Sequence, residues 1–267
     1  MTMVRAAKRN TPAIDYSALY DGHPEYVARR QQGSIEQMQI DLEVRLFKLP
    51  NLLRLVPQSR ELRRVLEIGC ATGELIAGVP VTTNGSRVGI DISVANVEAA
   101  RTRFPEIEFY CGDLCEFRDP GFDAVILSDV LEHVPNDQEF LRVAARVGEV
   151  VLVNLPLEDN WLNRNRGYGP DDVSGHLRKY SLADGLELFE RAGLEILGYS
   201  QVWLHETPAD AACRALRRER VGHAFSGAWP TRVAKQAVTT IARSFPIFGR
   251  RLFSSNLFAA ACKRQQR

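Results

Sequence analysis

The chain has 267 residues, of which 45% are hydrophobic and 25% are charged, a composition typical of a globular protein rather than of a disordered or fibrous one. A chain of this length buries enough apolar surface to fold without disulfides. Its five scattered cysteines provide no disulfide framework, and its first twelve residues contain no apolar run that would act as a secretory signal. We therefore expect a cytoplasmic protein with free thiols and no bound metal.

The net charge of +1 is unevenly distributed along the chain. Residues 1–210 contain 22 basic and 32 acidic residues, whereas residues 211–267 contain 12 basic residues and a single acid, Glu219. A solvated basic surface is one interpretation of the C-terminal part. A peripheral contact with an anionic membrane surface through residues 231–251 is the alternative, because residues 231–244 form an amphipathic helical pattern. We expect no nucleic-acid partner, since no recognition motif occurs.

The first predicted element is a helix over residues 24–48, where apolar side chains recur every three or four positions. From residue 64 onward, short apolar runs alternate with stretches of helical periodicity, which predicts βαβ units and a mainly parallel sheet. The predicted strands are 65–68, 87–90, 107–110, 122–127, 149–153, 194–202 and 256–261, and the predicted helices between them are 74–79, 93–103, 136–146 and 182–192. Such sheets bind ligands at the carboxyl ends of their strands.

The first strand leads into a turn that contains two glycines, in the segment VLEIGCATG (65–73). Glycine permits a sharp turn and a close approach of the backbone to a ligand. The turn alone is compatible with NAD, FAD or another nucleotide, or with a purely structural role. The spacing Gly69-x-x-x-Gly73 differs from the G-x-G-x-x-G of dinucleotide-binding proteins, which disfavours a nicotinamide-dependent oxidoreductase.

Acidic residues follow the next strands in order: Asp91 in VGIDIS, Asp113 in CGDL, and Asp129 in FDAVILSDVLEHV. An acid at the end of the second strand can accept hydrogen bonds from both hydroxyls of a ribose. Asp113 is placed to meet the amino group of an adenine, with Leu114 packed near the ring. Each acid alone is compatible with an ordinary strand end, but the succession favours a nucleotide site.

The series EIGCATG, GIDIS, CGDL and FDAVILSDVLEHV resembles the class I family of methyltransferases that depend on S-adenosylmethionine (SAM). The similarity covers residues 64–200, and residues 256–264 resemble the last strand of that family. It implies an α/β fold with three Rossmann-like layers and a seven-stranded, mainly parallel sheet that ends in an antiparallel hairpin. One departure is Ala71, which stands where the family often has a third glycine and adds a methyl group that slightly relaxes the close approach.

The resemblance also implies the residues that hold SAM as cofactor. The methionine part of SAM would contact Glu67, Gly69 and Gly73. The ribose would contact Asp91 and Ile92, and the adenine would contact Asp113 and Leu114. Ser128 and Asp129 would approach the cofactor from the fourth strand. The N-terminal helix, with Tyr26, Arg29 and Arg30, would cover the pocket as a lid, although a plain packing helix is the alternative.

Methyl transfer requires an acceptor nucleophile aligned with the methyl group, and a base assists when the acceptor is a hydroxyl. His133 in LEHVPN and His176 in SGHLRKYS are the candidate catalytic bases; a packing or capping role is the alternative for His133. The polar segment 157–180 follows the fifth strand, and its Trp161 and Tyr168 are candidates for stacking on an acceptor ring.

We divide the chain into an N-terminal tail and helical lid (1–63), a SAM-binding core (64–207), a basic helical insertion (208–255), and the last core strand and tail (256–267). The predicted function is O-methylation of a small molecule, a glycan or a lipid-linked sugar. A quinone or a polyketide is an alternative acceptor, and a non-catalytic nucleotide-binding scaffold is the alternative from another class of protein.

Overall fold

The computed structural model describes residues 15–114, 119–169, 172, 174–220, 245, 247, 249 and 253–264. The strands are β1 (Arg64–Ile68), β2 (Ser86–Asp91), β3 (Glu108–Cys111), β4 (Phe122–Ser128), β5 (Gly148–Leu157), β6 (Leu194–Val202) and β7 (Ser255–Lys263). The helices are α1 (Tyr16–Gly22), α2 (Pro24–Arg30), α3 (Ile35–Glu43), α4 (Leu49–Leu53), α5 (Glu74–Gly78), α6 (Val94–Arg103), α7 (Asp137–Val147), α8 (Leu182–Arg191) and α9 (Pro208–Arg220).

The strands form one mixed sheet in the order β3-β2-β1-β4-β5-β7-β6 within the described part of the chain. Strands β1 to β5 pair in parallel, and β7 runs antiparallel to both β5 and β6. The seven predicted strands and the antiparallel final hairpin are confirmed. The chain proceeds outward from β1 to β3 and then returns to β4 on the other side of β1, which creates a switch point at the carboxyl ends of β1 and β4.

Alternation of side chains along the strands divides the core into two apolar layers. In β1, Leu66 and Ile68 pack in one layer with residues of α7 and α8, whereas Val65 packs in the other with residues of α5, α6 and the N-terminal region. Because helices cover both faces of the sheet, the central strands are nearly continuous apolar runs. The predicted three-layer α/β fold is therefore confirmed.

The helix predicted as continuous over residues 24–48 is wrong in detail, because it is interrupted between Arg30 and Ile35. Helix α2 ends at Arg30, Gly33 adopts a φ of 78°, and the Ser34 side chain caps α3 by accepting a hydrogen bond from the Gln37 main-chain N–H at 3.0 Å. The backbone then widens into a π-helical turn over Val44–Lys48 and continues as α4. Pro50 is compatible with α4 because it lies in the first turn, where a proline needs no main-chain N–H.

Strand β5 continues to Leu157 instead of ending at Val153 as predicted. The polar Asn154 lies inside the strand, where its side chain donates hydrogen bonds to Ser128 Oγ at 3.0 Å and Asp129 Oδ2 at 3.1 Å. Strand β7 pairs with β5 from Val151 through Leu157. The antiparallel partner, which lies a hundred residues away in the chain, thus stabilises a segment whose local sequence ends the apolar run.

Several predictions concern residues outside the described part of the chain. The amphipathic segment 231–244 lies there, together with most of residues 245–251, so the membrane contact through 231–251 stays a prediction. Helix α9 is the described beginning of the basic insertion. Among the described residues, no helix combines the length and the apolar character needed to cross a bilayer.

Gly73 is a position of the fold where a side chain would be both strained and crowded. Its φ is 88°, and a Cβ there would lie 2.8 Å from Phe109 Cζ and 3.1 Å from Phe104 Cδ2. Gly33 has a similar φ of 78°, but a Cβ there would meet no atom within 4 Å. An alanine would therefore be strained by the left-handed backbone conformation at both positions, but it would clash with neighbouring atoms only at position 73.

We expect Gly73→Ala to lower the free energy of unfolding by about 1–3 kcal/mol more than Gly33→Ala, because overpacking adds to the shared strain. Urea unfolding of the two variants measures this difference directly. Equal losses in the two variants would contradict the close packing of α5 on Phe104 and Phe109.

Candidate functional site

A cavity of about 1000 Å³ opens at the carboxyl ends of β1, β2 and β4. Ligand pockets commonly measure about 300–1,000 Å³, so this space accepts a nucleotide-sized donor together with a small acceptor. Its wall contains the following predicted cofactor residues: Glu67, Gly69, Asp91, Ile92, Asp113, Leu114, Ser128 and Asp129.

Gly73 is the predicted cofactor residue that the structure does not bring into this wall. It is the left-handed N-cap of α5 and packs against Phe109 instead. Its role in the structure is therefore to turn the chain into α5. Gly69 does line the cavity, with a φ of 73°, and a Cβ there would lie 2.6 Å from Val130 Cγ2.

Ala71 adopts the left-handed conformation that a glycine would favour, with a φ of 46°. An L-residue pays about 1–2 kcal/mol for this conformation. The Ala71 N–H donates a hydrogen bond to Asp91 Oδ2 at 2.8 Å, which holds the turn in place. The backbone therefore turns as it would with glycine, and the relaxed approach expected from the Ala71 methyl group stays a prediction.

Asp91 is buried at the end of β2, and its carboxylate already has three partners. It accepts hydrogen bonds from the N–H of Ala71 at 2.8 Å, from the N–H of Ser93 at 2.9 Å and from Asn96 Nδ2 at 3.4 Å. Burial raises its pKa, although these hydrogen bonds act in the opposite direction. Since a carboxylate has about four acceptor sites, the geometry leaves room for one ribose hydroxyl rather than both.

Glu67 lies one strand away, buried at the end of β1. Its Oε2 accepts a hydrogen bond from the Ile76 main-chain N–H at 2.9 Å, which fixes the start of α5 against β1. Burial raises the pKa of this carboxyl to about 8. Glu67 is therefore protonated over much of the neutral pH range in the absence of a positively charged ligand.

Asp129 joins the end of β4 to the N-terminal region. Its backbone has a φ of 56°, and its Oδ2 lies 2.8 Å from Lys48 Nζ and 3.1 Å from Asn154 Nδ2. Burial alone would raise the pKa of Asp129, but the Lys48 ammonium outweighs that effect and keeps it below the usual value. The ion pair therefore closes one side of the cavity and keeps Asp129 ionised.

The cavity has a strong excess of acidic residues. Among the described residues that line it, nine are acidic and two, Arg29 and Lys48, are basic. The acids are Glu25, Glu36, Glu43, Glu67, Glu74, Asp91, Asp113, Asp129 and Glu132. Because low-dielectric walls strengthen electrostatic interactions, the excess of acidic over basic residues favours a ligand with positive charge even though Glu67 is largely protonated.

Helices α1 and α2 border the cavity where the N-terminal lid is predicted, and the lid role itself stays a prediction. Tyr26 and Arg29 line the cavity. Arg30 does not; its guanidinium donates hydrogen bonds to the main-chain oxygens of Tyr20 at 2.6 Å and Asp21 at 2.7 Å. A third bond, to Asn96 Oδ1 at 3.1 Å, ties the lid to α6.

Two tyrosines of α1 extend the lid to the candidate bases. The Tyr16 ring lies 5.8 Å from the His133 ring, edge to face, and its hydroxyl donates to the Gly175 main-chain oxygen at 2.8 Å. The Tyr20 ring lies 6.2 Å from His133 and 4.9 Å from Tyr26. Burial raises the pKa of both tyrosines, that of Tyr16 to about 12. Both hydroxyls therefore stay protonated at neutral pH.

His133 and His176 meet in the cavity wall, with ring centroids 4.8 Å apart. His133 Nδ1 donates to the Gly175 main-chain oxygen at 3.1 Å, and burial lowers its pKa to about 4. His176 Nδ1 lies 2.7 Å from Glu158 Oε2, and Arg166 Nη1 donates to the other oxygen of that carboxylate at 2.5 Å. The two predicted bases therefore differ in their Nδ1 partners, which are a carboxylate for His176 and a main-chain oxygen for His133.

The loop after β5 is organised by Arg166 rather than by its aromatic residues. Trp161 is 57% exposed and packs on the guanidinium of Arg164 at 4.7 Å. Neither Trp161 nor Tyr168 lines the cavity, so stacking of these rings on an acceptor is not supported by the structure. The loop contributes His176 and Ser174 to the wall instead.

Sequence reasoning missed Lys48, Glu132 and Glu158, and left Tyr16 and Tyr20 unassigned. Glu132 had a usable signal, since it lies in the same LEHV motif as His133. It is 1% exposed, lines the cavity, and neither of its carboxylate oxygens has a hydrogen-bond partner among the described residues. Lys48 and Glu158 lie in ordinary helical and loop sequence, and only the folded chain shows their partners.

Comparisons with known proteins show the family to which the chain belongs. The family model described as "Methyltransferase domain" matches residues 38–198. A probable S-adenosylmethionine-dependent methyltransferase of Mycolicibacterium smegmatis is 32% identical over 142 residues, which cover 50% of this chain and 52% of the relative. A ubiquinone biosynthesis O-methyltransferase of Alkalilimnicola ehrlichii is 35% identical over 105 residues, which cover 35% of this chain and 42% of the relative.

This chain thus spans about half the length of the curated relatives that it matches. Among solved structures, the phosphoethanolamine N-methyltransferase 2 of Haemonchus contortus in complex with SAM has a TM-score of 0.61 at 17% sequence identity. The match covers 95% of this chain and 61% of that protein. At this low identity the likeness concerns the fold alone.

Proposed function

Because this chain belongs to the class I family of SAM-dependent methyltransferases, we propose that it transfers the methyl group of SAM to an oxygen atom of a small molecule or a glycan. The observation that supports SAM as the ligand is the acidic wall of the cavity. SAM carries a sulfonium and an ammonium group, so its net charge is positive, whereas the pyrophosphate of NAD or FAD is negative and would be repelled by this wall.

The donor occupies the part of the cavity at the ends of β1 to β3 in this proposal. The ribose lies against Asp91, which retains one acceptor site, and the adenine lies near Asp113 and the buried Leu114. The methionine part follows the turn at Gly69 and approaches Glu67. A positive charge close to Glu67 would favour the ionised form of a carboxyl whose pKa is raised by burial.

The acceptor occupies the remaining space, between the lid and the two histidines. Tyr16, Tyr20, His133 and His176 line this part of the cavity, and aromatic rings pack well on apolar and sugar-ring surfaces. The name of the relative from Alkalilimnicola ehrlichii, an O-methyltransferase, supports oxygen as the accepting atom. A glycan, a lipid-linked sugar and a quinone all fit this description of the acceptor.

His176 is the proposed base for the acceptor hydroxyl. Its Nδ1 donates to Glu158, so its Nε2 has the free electron pair, and the carboxylate stabilises the imidazolium that forms on protonation. His133 is a weaker candidate, because burial lowers its pKa to about 4. His133 instead packs between Tyr16, Tyr20 and His176 and shapes the acceptor space.

Donor binding is tested by ligand-induced thermal stabilisation. We expect SAM and S-adenosylhomocysteine, at about 100 times their Kd, to raise the melting temperature by about 5–10 °C. NAD and NADP are expected to leave it unchanged. Stabilisation by NAD or NADP, with none by SAM or S-adenosylhomocysteine, would contradict the proposal and favour an oxidoreductase.

The position of the donor is tested with Asp91→Asn, since this change removes negative charge and one acceptor atom. We expect the Kd for SAM to rise about 10–100-fold, as for the loss of a hydrogen bond to a charged group. Asp119→Asn is the matched control, because Asp119 pairs with Arg64 at 2.7 Å and does not line the cavity. Calorimetry in which both variants bind SAM like the parent would rule out a ribose contact at Asp91.

The catalytic role of His176 is tested after an acceptor has been found by transfer of labelled methyl groups from SAM to fractionated small molecules and glycans. We expect His176→Asn to lower kcat about 10²–10⁴-fold while the affinity for SAM stays within about twofold. His205→Asn is the control, because His205 also pairs with a carboxylate, Asp210, at 2.6 Å but lies outside the cavity wall.

An unchanged kcat in His176→Asn would transfer the role of base to His133 or remove the need for one. Tight binding of SAM combined with repeated failure to label any acceptor would favour the alternative of a non-catalytic scaffold.

A further inference from the structure

Three side chains on the acceptor side of the cavity offer the donor atoms of a metal site. One nitrogen or oxygen atom from each of Glu132, His133 and His176 lies within 4.8 Å of the other two. We propose that these residues bind a divalent first-row transition-metal ion. Binding of the ion itself does not depend on the proposed methyl transfer, but its chemical consequence does.

The histidines are already oriented as metal ligands. The Nδ1 of His133 donates to the main-chain oxygen of Gly175 at 3.1 Å, and the Nδ1 of His176 donates to Glu158 at 2.7 Å. Each bond fixes the tautomer and leaves the electron pair of Nε2 for another partner. Metal-binding histidines characteristically donate their second ring nitrogen to a carbonyl or carboxylate in this way.

Glu132 provides the second, independent observation. Its side chain is 1% exposed, and neither oxygen has a hydrogen-bond partner among the described residues. A buried polar group without a hydrogen-bond partner is destabilising, so a carboxyl group in this position favours a bound ligand. Glu132 Oε1 lies 3.8 Å from His133 Nε2, too far for a hydrogen bond but suited to an atom between them.

The surrounding charges favour a cation. Behind His176, the single guanidinium of Arg166 is shared by two carboxylates, those of Glu158 at 2.5 Å and Asp172 at 2.8 Å. Although Arg166 approaches His176 Nδ1 to 3.4 Å, its charge is therefore more than balanced. With Glu132 ionised, the described charges at this corner sum to a negative value.

Two imidazoles and one carboxylate are a ligand set for zinc, iron, cobalt or manganese rather than for magnesium or calcium, which prefer oxygen ligands alone. Bonds of about 2.0–2.2 Å place neighbouring ligand atoms about 3–3.5 Å apart. The three donor atoms, which lie within 4.8 Å of one another, must therefore approach by roughly 1 Å when the ion binds. Three protein ligands leave coordination positions open for an acceptor oxygen.

When the ion is bound, His176 would act as a metal ligand instead of as the base. An acceptor hydroxyl that coordinates the ion loses its proton more readily, and that proton passes to solvent water. The resulting oxygen attacks the methyl carbon of SAM, the O–C bond forms as the S–C bond breaks, and the sulfonium becomes a neutral thioether. Metal and imidazole base are thus alternative ways for one site to activate one hydroxyl.

The test is a titration of chelator-treated full-length protein with Co²⁺, followed by visible absorption and calorimetry without SAM or acceptor. We expect one equivalent to bind, with a Kd on the order of 1 μM, with no thiolate charge-transfer band and with much weaker binding of Mg²⁺. Glu132→Gln and His176→Ala should each raise the Kd at least about tenfold, and Glu158→Gln, which supports His176 from behind, about 10–100-fold.

His205→Ala is the matched control and should bind Co²⁺ like the parent, because His205 belongs to a histidine–carboxylate pair outside the cavity. Glu132→Gln should be no less stable than the parent in urea, since it replaces a buried carboxyl group that has no hydrogen-bond partner among the described residues. Absence of Co²⁺ binding, or binding that Glu132→Gln and His176→Ala leave unchanged, would overturn the proposal. Either result leaves methyl transfer, measured separately, unaffected.

Discussion

Several carboxyl groups are buried at one edge of the parallel part of the sheet, and each of them needs a hydrogen-bond or ion-pair partner. Glu67, Asp91 and Asp129 end or follow strands β1, β2 and β4, and each lies in the wall of the same cavity. A buried carboxylate is costly unless it is paired or hydrogen-bonded. Much of the local structure of the site therefore consists of groups that donate hydrogen bonds to these carboxyl groups or form ion pairs with them.

Each of these three carboxyl groups has different hydrogen-bond or ion-pair partners, and each set of partners fixes the position of a neighbouring segment. Main-chain N–H groups of α5 and of the turn at Ala71 bind Glu67 and Asp91, which fixes the backbone beside the cavity. Lys48 binds Asp129 and thereby holds the N-terminal region over the strands. Glu132 has no such partner among the described residues, and for this reason we propose it as a ligand of a bound ion. The same excess of negative charge suits a cationic methyl donor.

The sequence was sufficient for the sheet and for grouping most of the proposed donor residues around one cavity, because both depend on short segments. Each strand is a local apolar run, and Asp91, Asp113 and Asp129 lie at or just after strand ends, so parallel topology alone brings them together. A predicted boundary was wrong where a distant segment decides the structure, since β5 continues past Val153 because β7 pairs with it. Gly73 lies outside the described cavity wall, and its contact with the cofactor stays a prediction.

The acceptor side was the least predictable part for the same reason. Its residues Tyr16, Lys48, Glu132 and Glu158 come from four separate segments, and no local pattern links them.

We propose that the cavity holds SAM with its methyl group directed at the histidine pair. A crystal structure with S-adenosylhomocysteine measures this directly. We expect a ribose hydroxyl bonded to Asp91, the adenine beside Asp113 and Leu114, and the sulfur facing His133 and His176. A ligand bound elsewhere, or with its sulfur turned away from both histidines, would contradict it.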